Sequence, residues 1–125
     1  MIEKLKEAFS RYRETEPQHR RLLVAPDRVS LFSAKSGRDM WSFRWDELAE
    51  VVAYKVDAVV VDHICLGFRT HGDGAFHVTD EETPGWHELN DELSKRFGIT
   101  ASGWFGDVAF HAFAQNWTVL WQRDS

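Results

Sequence analysis

Residues 51–98 decide the fold, and they read VVAYKVDAVVVDHICLGFRTHGDGAFHVTDEETPGWHELNDELSKRFG. Two runs rich in β-branched and aromatic residues, Val51–Asp57 and Asp62–Arg69, precede a shorter run around Phe76 and Val78. A segment with apolar residues at helical spacing follows them. Strands followed by one late helix predict a curved antiparallel sheet that is closed off by the helix.

The spacing of the apolar residues also predicts how two of these strands pair. Placing Phe68 opposite Phe76 and Leu66 opposite Val78 brings their apolar side chains to one face and leaves residues 70–74 as the loop. Because side chains alternate along a strand, a slip by one residue would expose one of the two sets.

The helix of this segment is predicted at residues 84–97. Thr83 is suited to cap its start and Pro84 to occupy its first position. Gly98 is suited to a left-handed stop, after which Ile99 can fold back on the helix. The predicted buried stripe consists of Trp86, Leu89, Leu93 and Phe97.

The flanking segments add a second helix and more strands. Apolar residues at three-to-four spacing predict an N-terminal amphipathic helix at 2–15, which ends before Pro17. The apolar stripe that packs on the sheet consists of Ile2, Leu5, Phe9 and Tyr12. Alternating runs predict strands at 21–25, 28–33, 39–45 and 117–122, with a single helical turn capped by Asp46 after the third of these runs. A C-terminal aromatic extension and strand are predicted at residues 102–123.

These elements predict an α+β fold with six to seven strands. Their order resembles the pleckstrin-homology-like split barrel, with an added N-terminal helix and a C-terminal extension; the same list is also compatible with a less regular α+β sheet. A chain of 125 residues favours a single domain at 1–125. It has no apolar run of the roughly 20 residues that span a bilayer. The single cysteine, Cys65, and the lack of a secretory signal favour a cytoplasmic protein that does not insert into membranes.

The charges are distributed unevenly along the chain. Residues 1–45 carry ten Lys and Arg against six Asp and Glu, whereas residues 46–125 carry five against fourteen. Nucleic-acid binding needs a basic face that neutralises phosphates. An acidic balance over two-thirds of the chain therefore argues against a nucleic-acid partner.

The densest group of potential ligands is acidic, and it consists of Asp57, Asp62, Asp80, Glu81 and Glu82. On the predicted pairing these carboxylates crowd one end of the strands. They could cover a basic protein partner or hold a hard cation through oxygen ligands. The bland alternative is that they serve turns and the start of the helix, where negative charge is favourable.

Two weaker candidates are a metal site and an aromatic surface. His63, Cys65 and His77 fall on one face under the predicted pairing, but a tetrahedral zinc site also needs a fourth ligand. No metal and no cofactor is therefore predicted. Aromatic residues near the C-terminus could form an exposed patch for a partner; they are Trp104, Phe105, Phe113 and Trp117.

Three signatures together resemble a set of small uncharacterised bacterial proteins of about this length. They are Lys55-x-Asp57 with Asp62-x-Ile64-Cys65-Leu66, then Glu81-Glu82-x-x-Gly85-Trp86-x-x-Leu89, then Ala112-Phe113-Ala114-x-Asn116-x-Thr118-x-Leu120-Trp121. The resemblance covers residues 40–122 and implies a bacterial protein without implying an activity.

Three functions follow as hypotheses. The first is a non-catalytic protein-interaction module, of the toxin-neutralising (immunity) type, that uses the acidic residues. The second is a cation-dependent enzyme or binding protein for a small molecule, built on the same carboxylates. The third is a self-associating protein that exploits the uneven charge.

Overall fold

The computed structural model describes residues 2–13, 17–56, 63–71, 76–100, 104 and 117–123. Among them lie two α-helices and seven strands, which confirms the α+β class. The elements are α1 Ile2–Arg13, β1 Arg20–Val24, β2 Arg28–Ser33, β3 Arg38–Arg44, β4 Leu48–Val56, β5 His63–Thr70, β6 Phe76–Asp80, α2 Trp86–Phe97 and β7 Trp117–Gln122. Neither α1 nor α2 is long and apolar enough to cross a membrane.

The strands form two antiparallel sheets, one of three strands in the order β1-β2-β3 and one of four in the order β6-β5-β4-β7. The sheets pack face to face: the Phe68 ring of β5 lies 5.4 Å from the Phe43 ring and 6.1 Å from the Trp41 ring of β3. Among the described strands no ladder joins the two sheets, so they do not close into a barrel.

Helix α1 covers the other face of the four-stranded sheet. Its apolar stripe is buried there, with Leu5 at 0% and Tyr12 at 2% exposure. The approach is close at Gly67 of β5, where an added Cβ would lie 3.0 Å from Leu5 Cδ2. Both faces of β5 are therefore covered.

The predicted pairing of β5 with β6 is wrong by one residue. Phe76 lies opposite Arg69 and Val78 opposite Gly67, instead of Phe68 and Leu66. Consequently Phe76 and Val78 share the face of α1, while Phe68 faces the three-stranded sheet. The apolar side chains of both strands are nevertheless buried, because α1 covers the face of the sheet that was expected to be exposed.

Helix α2 lies against β1 and reaches β7. The Leu22 N–H of β1 donates to the Pro84 carbonyl at 2.8 Å, and the Phe97 ring lies 4.6 Å from the Trp121 ring of β7. The predicted stripe is confirmed, because Trp86, Leu89 and Leu93 are buried and Phe97 packs against the core.

The ends of α2 give one correction and one confirmation. The helix begins at Trp86 with Gly85 as its cap at φ 99°, not at Pro84 with Thr83 as the cap. Thr83 is unable to cap the helix because its hydroxyl bonds Asp80 instead. Gly98 ends the helix at φ 71°, and the Ile99 N–H bonds the Leu93 carbonyl as predicted.

Other boundaries differ by a few residues. The turn after β3 is a 3-10 helix at Trp45–Glu47, and Glu47 rather than Asp46 bonds back to the Arg44 N–H at 2.8 Å. The predicted end of the first helix lies outside the described residues, as do residues 102, 103 and 105–116 of the predicted C-terminal extension.

Strand β7 has the predicted bounds but not the predicted alternation. An irregularity in its pairing with β4 lies between the positions of Trp121 and Val119. It leaves Val119 45% exposed while Leu120 packs against the core.

Candidate functional site

The most connected polar group of the described residues is buried between α1 and the sheets. It consists of Tyr12, Arg20, Asp80 and Thr83, which we call the Asp80 network. Asp80 Oδ1 accepts hydrogen bonds from the Tyr12 hydroxyl at 3.1 Å and from the Thr83 hydroxyl at 3.2 Å. The Arg20 guanidinium lies 3.6 Å from Asp80 Oδ2, and both side chains are 3% exposed.

Each member is placed by the element that carries it. Tyr12 follows Phe9 on the apolar stripe of α1, with the two rings 5.9 Å apart. Arg20 begins β1, and its guanidinium lies 3.8 Å from the centroid of the Tyr12 ring, which favours a cation–π contact. Asp80 ends β6, and its carbonyl accepts the Thr83 N–H at 3.2 Å in the turn that leads to α2.

Tyr54 and Cys65 extend the polar interior beside this network. Cys65 lies opposite Tyr54 of β4 on one side and opposite Asp80 of β6 on the other. Burial raises the pKa of the Cys65 thiol well above its ordinary value, and the nearby Asp80 and Glu81 carboxylates raise it further. Burial likewise raises the pKa of Tyr54 and of Tyr12. At neutral pH the thiol is therefore protonated, which makes it a poor nucleophile.

These raised pKa values predict a loss of stability in alkali. Because the folded pKa of Cys65 lies above its ordinary value of 9.0, the unfolded state releases the proton first and the free energy of unfolding falls as the pH rises above 9. Urea unfolding at pH 8 and pH 10 tests this. We expect Cys65→Ala to lose about 1 kcal/mol less than wild type between the two values. Equal losses would contradict a buried, protonated thiol.

The predicted acidic surface is only partly present among the described residues. Asp80 is 2% exposed and bonded within its network, so it faces the interior and not a partner. Glu82 is exposed, and Glu81 is half-buried with its carboxylate 3.4 Å from the Ile64 N–H. Asp57 and Asp62 lie outside the described residues. The cation hypothesis thus loses Asp80, whose oxygens are committed to internal donors.

His63, Cys65 and His77 were predicted to share one face of the sheet, and this is wrong for Cys65 and His77, which lie on opposite faces. His77 lies opposite Phe68, on the face away from Cys65, and packs 5.8 Å from the Trp41 ring. The one-residue change of register separates them. The side chain of His63 lies outside the described residues, and the described part of the chain holds no group of three or more His, Cys, Asp or Glu side chains suited to a metal.

The predicted aromatic patch loses Trp104, which is 5% exposed and belongs to the core. Phe105, Phe113 and the side chain of Trp117 lie outside the described residues. The large apolar side chains that are exposed within the described part are Leu23 and Val119, each at 45%.

Sequence reasoning missed the Asp80 network. It placed Tyr12 on a buried stripe but did not ask which group would bond its hydroxyl, although a buried tyrosine hydroxyl usually has a partner. An arginine at the start of an apolar strand, Arg20, was a second signal of a buried acidic partner.

Comparison of the chain with protein-family models, with curated proteins and with solved structures finds no match in any of the three. The resemblance to small bacterial proteins therefore stays a prediction.

Proposed function

We propose that the protein is a non-catalytic interaction module that binds a basic protein partner, of the toxin-neutralising type. The observation that carries the proposal is the exposed face of α2 and of the turn before it. Glu82, Glu88 and Asp91 are all exposed there, and the basic residues of α2, Lys95 and Arg96, are confined to its last turn.

The placement of these carboxylates supports recognition by charge. Glu88 and Asp91 are three residues apart and so are neighbours on the surface of α2. The opposite face of the helix is anchored in the core through Leu89 and Leu93, both 0% exposed. A rigid acidic surface speeds encounter with a basic partner and disfavours acidic ones.

The interior supports the same proposal from the other side. Two groups that could in principle take part in catalysis, the Asp80 carboxylate and the Cys65 thiol, are both buried. Burial also raises the pKa of the thiol. Their arrangement stabilises the fold, and an interaction module needs nothing more of them. The order of strands and helices is also compatible with the pleckstrin-homology-like class that we propose for the fold.

Neutralising the α2 surface tests the proposal. We expect the triple variant Glu82→Gln/Glu88→Gln/Asp91→Asn to weaken capture of a stoichiometric partner from a lysate of the source cells by about tenfold at low salt, since charge complementarity would be lost. Quantitative pull-down with immobilised protein measures the effect.

The matched control is Glu3→Gln/Glu7→Gln/Asp39→Asn, which removes three exposed carboxylates elsewhere. It should leave capture unchanged. The proposal fails when wild type captures no stoichiometric protein at low salt, or when both triple variants weaken capture equally.

A further inference from the structure

The two sheets leave a gap where β3 faces β6, and a groove of about 310 Å³ lies in that gap beneath α1. A hydrogen bond crosses it, from the Trp41 indole N–H to the Val78 carbonyl at 3.0 Å. Met40 and Trp41 line the groove from β3, Phe76 and Val78 from β6, and Arg11 from α1. Its volume is at the small end of the range for ligand sites, which suits a ligand of one or two rings.

The walls of the groove combine apolar side chains with the polar groups of Arg11, Tyr12 and His77. The Trp41 ring is stacked on Phe43, with centroids 5.6 Å apart and planes at 20°, and its N–H is fixed by Val78. Trp41 and Met40 are nevertheless only half-buried, so part of each side chain stays open to a ligand. A planar ring can stack on such a wall.

A backbone donor also points into the groove. The Glu81 N–H bonds the Ile64 carbonyl at 3.0 Å, which makes that pair a hydrogen-bonded one. Because hydrogen-bonded and non-hydrogen-bonded pairs alternate between antiparallel strands, the N–H and C=O of Val78 point away from β5. The bond from Trp41 to the Val78 carbonyl agrees with this direction. The N–H of Val78 therefore faces the same gap.

A cation stands at the rim. Arg11 is exposed, and it has no ion pair with any described residue. A guanidinium and a backbone N–H together are a donor set for a carboxylate. An aromatic wall beside such donors is suited to a ring that carries an acid group.

We propose that this groove binds a small aromatic carboxylate, with its ring against Trp41 and Met40 and its carboxylate toward Arg11 and the Val78 N–H. This site is separate from the acidic surface of α2 and does not depend on the proposed protein partner.

Titration of the ¹⁵N-labelled protein with indole-3-acetate, followed by NMR, tests the proposal. We expect saturable shifts of the Trp41 indole N–H and of the Val78 amide at millimolar concentrations or below. The indole signal is assigned by its loss in Trp41→Phe. Removing the rim charge in Arg11→Gln should weaken binding about fivefold, the effect of one exposed charge pair. The neutral analogue indole-3-acetamide should bind wild type about as weakly as the acid binds that variant.

The matched control is Arg13→Gln, which removes an exposed charge from the same helix over the Phe9 ring. It should leave the affinity unchanged. The proposal is overturned by the absence of saturation at about 10 mM probe, where binding would contribute under about 3 kcal/mol. Equal weakening by Arg11→Gln and Arg13→Gln would overturn it too, since that marks general attraction of an anion, and so would shifts that spare Val78.

Discussion

Replacing Asp80 by alanine is expected to lower the free energy of unfolding by about 4 kcal/mol. The change leaves the Arg20 guanidinium without its carboxylate in a site where the arginine side chain is 3% exposed. It also removes the acceptor of the Tyr12 and Thr83 hydroxyls. A buried charge without a partner costs far more than the pair itself contributes. Urea unfolding followed by circular dichroism measures the loss.

The chain offers a matched control in Asp27→Ala. Asp27 and Arg28 are also 3.6 Å apart, but their side chains are 66% and 49% exposed. Water replaces the lost carboxylate there, so we expect a change within about 0.5 kcal/mol. The double variant Arg20→Met/Asp80→Ala should be more stable than Asp80→Ala, because no charge is left uncompensated. An Asp80→Ala protein within about 1 kcal/mol of wild type would contradict the network's structural role.

Replacing Gly85 by alanine is expected to cost about 3 kcal/mol of unfolding free energy. Gly85 has φ 99°, and an added Cβ would lie 2.6 Å from the Leu22 carbonyl oxygen and 2.7 Å from the Leu22 Cβ. The backbone of β1 cannot retreat without disturbing the bond from the Leu22 N–H to the Pro84 carbonyl. Strain and overlap therefore act together where α2 begins.

Gly98→Ala separates the two causes. Gly98 has φ 71°, with nothing within 4 Å of an added Cβ, so only the left-handed strain remains and we expect a loss of about 1 kcal/mol. Thermal unfolding of both variants measures the difference. Equal losses would show that the contact with Leu22 is not what requires glycine at position 85.

Local signals in the sequence predicted much of the fold. The stripe of α2 and the stop at Gly98 follow from side-chain spacing and from one backbone conformation within a few residues. The bounds of β2, Arg28–Ser33, match the predicted 28–33 because turn residues flank a short alternating run. Such features depend on neighbours along the chain.

The register of β5 with β6 depends on partners far along the chain. The prediction assumed that only one face of the sheet is buried, which would fix the register. Because α1 buries the other face as well, burial alone allowed either register. Thr83 illustrates the same limit. Its identity favours a helix cap, yet its hydroxyl bonds the buried Asp80. For the same reason Asp80 was assigned to an acidic surface, whereas its carboxylate is buried and accepts hydrogen bonds from internal donors.

The hydrogen bond between Tyr12 and Asp80 joins residues 68 positions apart. During synthesis the ribosome makes α1 first and, at about 5–20 residues per second, needs several seconds to reach β6. A helix of twelve residues is scarcely stable alone in water. The apolar face of the nascent N-terminal segment therefore stays exposed to solvent throughout that interval. The apolar side of α1 can therefore be buried only after β5 and β6 have been synthesised.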